Sequence, residues 1–225
     1  MVLDYFIFGL FFAFAMISTN LIREKINGSN LKDIVRITIF FLPFLTPAIF
    51  FGLPTFSFTS ESGIFPYFIA TGCAIFALAI QYKDYSSLLR NEVYPLLPPI
   101  TTKAFIGIES SIIGSAIFEE IFYRTYVPDS VFWIECIVSG GLFSLSHYIH
   151  PLTRKTFTAR SYVILFLLSI AWYYSYKISG TLLPAIIGHL VYNSSSIIII
   201  FRRYLYSRQE AKNLAIKQKG TGMYT

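Results

Sequence analysis

Seven stretches of this chain, each close to 20 residues, are apolar for most of their length: 3–22, 34–53, 64–82, 104–123, 131–149, 161–178 and 181–201. About 20 such residues are what an α-helix needs to cross the hydrocarbon of a bilayer. Inside lipid, a single segment can satisfy its own backbone hydrogen bonds only as a helix. The β-branched run Ile197 to Ile200 is therefore read as helix, against its strand propensity. The fold expected is all-α, a polytopic membrane helix bundle of about seven to eight transmembrane helices, forming a single domain over residues 1–225.

Composition agrees with that reading. Of 225 residues, 55% are hydrophobic, 18% aromatic and only 13% charged, against about 25% charged in soluble domains. That leaves too little polar surface to wrap a water-soluble globule of this size. The net charge of +6 sits in short connections and the tail, where it serves topology beside an anionic leaflet. A nucleic-acid partner would need a basic face, and none is visible. Cys73 and Cys136 lie far apart in apolar runs, with neither disulfide nor metal spacing, and are read as small core or lipid-facing residues. The first apolar run follows Asp4 rather than a basic segment, so it reads as a retained span.

Prolines punctuate the runs. Pro43, Pro47 and Pro54 should kink or end the second segment. Pro66 suits the first turn of the third, and the YPLLPPI stretch before the fourth is too proline-rich for regular helix. Lysine and arginine mark alternate connections: Arg23, Lys25, Lys32 and Arg36; Lys83, Arg90 and Lys103; Arg154, Lys155 and Arg160; Arg202, Arg203 and Arg208. By the positive-inside rule these face the cytosol. The sequon at Asn27 is then cytosolic and should stay unmodified, and the one at Asn193 is buried within a span.

Against this apolar background three polar groups stand out. Each charge at the middle of a membrane helix costs roughly 2.5–3.5 kcal/mol. The first group is Glu119, Glu120 and Arg124 in IFEEIFYRTY. Glu120 and Arg124 share a helix face, acid on the favourable N-terminal side, while Glu119 is rotated by about 100°. Glu120 is thus expected to pair with Arg124, leaving Glu119 free to act on water. The second is His147 in FSLSHYIH, with Phe143 four residues earlier on the same face. The third is His189 and Asn193 in GHLVYN, again on one face. Each group alone could be structural, as an ion pair or an interhelical hydrogen bond. Together, on three spans, they supply a carboxylate, two imidazoles and an amide, the inventory for activating water and stabilising an oxyanion. No serine nucleophile elbow is present, and neither cysteine neighbours a histidine, which disfavours a covalent acyl-enzyme.

The order FEEIFYR, FSLSH, HLVYN resembles the EExxxR, FxxxH and HxxxN motifs of the CAAX protease and bacteriocin-processing family of intramembrane proteases. It covers about 104–200, the expected catalytic core. His150 after His147 is similar to the histidine-rich segment of the eukaryotic type II CAAX prenyl endopeptidases. The resemblance implies Glu119 as general base with His147, His189 and Asn193 as oxyanion site, and Glu120, Arg124 and Phe143 as supporting residues. It implies prenylated CAAX proteins as substrates in the lipid bilayer, loss of their last three residues as the reaction, no cofactor, and the endoplasmic reticulum membrane with a cytosol-facing site.

One expectation conflicts with it. In a simple hairpin turning near Pro128, His147 lies further from the turn than Glu119, by about 10 Å or more at 1.5 Å per residue. The charge count also puts Glu119 towards the exoplasmic end. A re-entrant piece, a surface helix or a miscounted span would reconcile the two. Two other functions fit the same residues. One is a zinc-dependent hydrolase with His147, His189 and Glu119 as ligands, though the spacing is not HExxH. The other is a transporter or scaffold using the buried acids and histidines as a relay.

Overall fold

The computed structural model describes residues 1–25, 39–54, 56–57 and 62–221, and the described residues contain helices and no strand. Six helices are long: α1 (Val2–Lys25), α2 (Phe65–Ile80), α3 (Thr102–Glu120), α4 (Phe132–Ile149), α5 (Ala159–Ser179) and α6 (Leu183–Thr221). They correspond to six of the seven apolar segments, and the chain is an all-α membrane protein. Large apolar side chains face outward along them, among them Phe6, Phe68, Phe76, Trp133 and Leu167, each more than half exposed. Cys73 is exposed and Cys136 buried, both as free thiols.

Among the described residues, not all of the expected seven to eight spans are long and apolar enough to cross a bilayer unaided. By length and apolarity alone, α1 and the part of α6 from Leu183 to Ile216 can cross a bilayer unaided. A third span is available if α2 is counted with the short helices that follow it at a 64° bend. α3 and α4, which carry the first two motifs, are diluted by Glu109, Glu119, Glu120, Glu135 and a series of serines. The second expected segment also differs. Its first residues and the Asn27 sequon lie outside the described residues; from residue 42 it is a 3-10 turn (Leu42–Leu45) and a single helical turn (Ala48–Phe51). Pro43 and Pro47 remove the amide donors that a continuous helix would need. The YPLLPPI stretch is 3-10 and extended, as expected.

Local chemistry sets the other boundaries. Thr101 caps α3 by accepting from the Ala104 amide at 3.2 Å. Thr158 and Ser161 form a reciprocal capping box at the start of α5. Gly180 ends α5 with φ of 68°, a left-handed conformation that costs a residue with a Cβ. Pro184 then sits in the first turn of α6, where no amide donor is missed.

α6 packs on α2 and α3, and α5 lies against α4 and α2. The contact at Gly188 is closest: a Cβ there would stand 2.6 Å from Trp172 Nε1 and 2.8 Å from the Ala70 carbonyl oxygen. Trp172 in turn donates to that carbonyl at 3.3 Å. Gly188→Ala should therefore cost about 1–3 kcal/mol through overpacking. Thermal unfolding in detergent should show a lower Tm, and an unchanged Tm would show that the contact gives way freely.

Candidate active site: a buried carboxylate, imidazole and guanidinium cluster

The α-helical pattern of α3 gives way after Glu120 to a π-helical turn, Ile121–Thr125. Such turns are rare and concentrate at functional sites. Here it carries Arg124 inward, where its side chain has no exposure, and Glu120 beside it has none either. Arg124 Nε and Nη2 donate to the two oxygens of Glu120 at 2.6 and 3.1 Å. Its Nη1 donates to Ser139 Oγ on α4 at 2.5 Å and to Ser169 Oγ on α5 at 2.6 Å. The guanidinium also lies over the rings of Phe143 at 5.4 Å and Trp172 at 5.9 Å. A bidentate pair whose remaining protons meet hydroxyls is one of the few forms in which a buried ion pair is well compensated.

His189 on α6 joins the same carboxylate, with Nδ1 2.9 Å from Glu120 Oε1. A carboxylate paired with arginine can only accept, so Nδ1 carries the proton and, in the neutral ring, Nε2 keeps the lone pair. The imidazole stacks on Trp172 at 4.8 Å and 14° and meets Phe143 edge-on at 5.6 Å. Gly188, one residue before His189, is what lets α6 approach the Trp172 ring. Asn193 lies one turn further along that face, half-buried, with no side-chain hydrogen bond among the described residues.

Glu119 points away from this cluster, as its rotation on the helix requires. It lines a cavity of about 220 Å³ together with His147. Its Oε2 is buried with no hydrogen-bond partner among the described residues. His147 Nδ1 is 3.0 Å from the Phe143 carbonyl oxygen, which can only accept, so Nε2 is again the atom left with a lone pair. His150, just past the end of α4, lines the same cavity. Burial, with the nearby Arg23 and His147 charges, holds its pKa down to about 4.

The expected division between the two acids is therefore observed: Glu120 is paired and Glu119 is not. Phe143, fully buried, is the partition between them, touching His147 at 4.8 Å, His189 and Arg124. His189 and Asn193 do not line the cavity that holds Glu119 and His147. Among the described residues, no three histidine, cysteine, aspartate or glutamate side chains are grouped to hold a metal ion. Ser139, Ser169 and Trp172 were not singled out from sequence. Ser169 carried a signal all the same, since it interrupts the aliphatic and aromatic run FLLSIAW.

The hairpin conflict is largely removed. Ser139 Oγ donates to the Tyr123 carbonyl oxygen at 2.8 Å, which sets those two residues at one level. Glu119 lies four residues back along α3 and His147 eight residues on along α4, about 6 and 12 Å away at 1.5 Å per residue. The remaining offset is about one turn, within reach of two long side chains. The irregular segment 126–131 makes the difference, by letting α4 begin well beyond the end of α3.

These features define a helical membrane protein with an acid and an imidazole facing one cavity and a neutralised ion-pair cluster behind them. Residues 101–195 match the family model described as Rce1-like, type II CAAX prenyl endopeptidase Rce1-like. That stretch, less than half of the chain, carries all three motifs and is similar to this family of CAAX-type intramembrane proteases. No curated protein and no solved structure matches the chain.

Proposed function

We propose that this protease removes the C-terminal tripeptide from prenylated CAAX proteins, using a water molecule activated by Glu119 and His147. The observation that carries this reading is the partnerless Glu119 carboxylate oxygen facing a cavity it shares with His147. Glu119 takes a proton from water, and the resulting hydroxide adds to the carbonyl carbon of the prenylated cysteine. The tetrahedral intermediate collapses as the proton passes to the leaving amine, and the tripeptide departs. His147, with Nε2 unprotonated, hydrogen-bonds the same water as acceptor and moves protons between its two ends.

The resemblance gives the oxyanion to His189 and Asn193, which lie on α6 outside the lining of the cavity that holds Glu119 and His147. Asn193 offers an amide donor directly. His189 offers an Nε2–H only as imidazolium, and Glu120 beside Nδ1 is the counter-ion that such a state needs. The lipid tail of the substrate lies in the bilayer beside the site, and the peptide enters from the cytosol at the endoplasmic reticulum.

The direct test is to incubate purified protein with a farnesylated CAAX peptide and read the products by mass spectrometry, with Glu119→Ala as control. Cleavage on the carboxyl side of the prenylcysteine supports the reading, and an intact peptide contradicts it. This scheme activates the water without a metal. Exhaustive chelation should leave the rate within about twofold. Loss of activity that zinc restores would favour the hydrolase with His147, His189 and Glu119 as ligands.

A further inference from the structure

The cavity at Glu119 has two walls of different origin. α3 and α4 supply one, inside the family match, and α1 with Phe40 and Phe44 supplies the other, outside it. α1 runs antiparallel to α3. Its Tyr5 hydroxyl donates to the Pro128 carbonyl oxygen at 3.2 Å, and Phe8 and Phe12 meet Phe122 and Tyr123 at 5.3 and 6.5 Å. Continuing in that register, Met16 stands near the level of Glu119 and Arg23 near that of Ser111. All four line the cavity.

The depth of the cavity follows from helix rise. Met16 to Arg23 is about 10 Å along α1, and Glu119 to Ser111 about 12 Å along α3. Three extended residues span about 10 Å. Arg23 is the only lysine or arginine among the described residues lining the cavity. It sits in the last turn of α1 with its guanidinium over Phe40 at 5.1 Å. A half-buried guanidinium held against an aromatic ring at the cavity wall is a fitting receptor for a carboxylate.

We infer that Arg23 binds the free C-terminal carboxylate of the substrate and so fixes the cut three residues from the chain end. The inference rests on the proposed endopeptidase reading. Arg23 is a specificity determinant rather than part of the water-activating machinery. The wall that measures the tripeptide then comes from a helix outside the family segment.

The test compares three farnesylated peptides on the full-length protein: one ending in a free carboxylate, its C-terminal amide, and a form one residue longer. The wild-type protein should prefer the free acid over both others by roughly 10- to 100-fold in kcat/KM, the range of a charge-assisted hydrogen bond. Arg23→Gln should bring acid and amide to a ratio near one, and Arg23→Lys should restore part of the preference. Equal wild-type cleavage of acid and amide would overturn the inference while sparing the endopeptidase reading, and it needs no variant to fold. A uniform loss on all three peptides in Arg23→Gln would also overturn it. Failure of the wild-type protein to cleave any of them would overturn both.

Discussion

Glu119→Gln is expected to lower kcat by about 10³-fold, the usual contribution of a positioned general base, without destabilising the protein. The amide keeps the shape of the side chain but cannot accept a proton. The stability half of the expectation follows from the same structure. Glu119 Oε2 is buried without a partner, and a neutral group in that place is cheaper to bury than a charged one. Thermal unfolding of Glu119→Gln should thus occur at or above the wild-type temperature while hydrolysis is lost. A variant that unfolded early would show that the carboxylate holds the fold together. A variant that kept wild-type activity would remove Glu119 from the chemistry.

Arg124→Met should do the reverse, failing first in stability. Its guanidinium neutralises Glu120 and satisfies Ser139 and Ser169, so one side chain ties α3, α4, α5 and, through His189, α6. Removing one partner of a buried pair leaves the other charge uncompensated, at about 3–5 kcal/mol, comparable with the whole stability of many domains. The variant is expected to be poorly folded in detergent, as read by size-exclusion monodispersity and unfolding temperature. Adding Glu120→Gln should recover part of that loss, because the orphaned charge goes with it. If Arg124→Met matched the wild type in both measurements, the cluster would contribute nothing to packing.

The contrast between these two acids is legible in the sequence. Glu120 and Arg124 are four residues apart and Glu119 is not in step with them, so the pair and the unpaired acid follow from helix geometry. Six of the long helices were also legible, because apolar runs end where Gly180, Pro128 or the His150–Pro151 pair interrupts them. α6 extends some 20 residues past its apolar run, since the basic tail after Phe201 is rich in strong helix formers. Local pattern could not reveal the π-turn at Ile121–Thr125, because nothing in IFYRT distinguishes it from one more α-turn. That turn and the irregular 126–131 connection decide how α3 and α4 register, which is why the sequence alone put Glu119 and His147 too far apart. The α1 wall of the cavity was equally hidden. That residues 16–23 and 111–119 line one cavity depends on tertiary packing that no motif records.

Hydrolysis in ¹⁸O-labelled water, followed on a farnesylated CAAX peptide with wild-type protein and Glu119→Gln side by side, is the most direct measurement. Water activation at Glu119 predicts one heavy oxygen in the new prenylcysteine carboxylate from the wild type, and almost no product from the variant. Labelled product released by Glu119→Gln at the wild-type rate would contradict it.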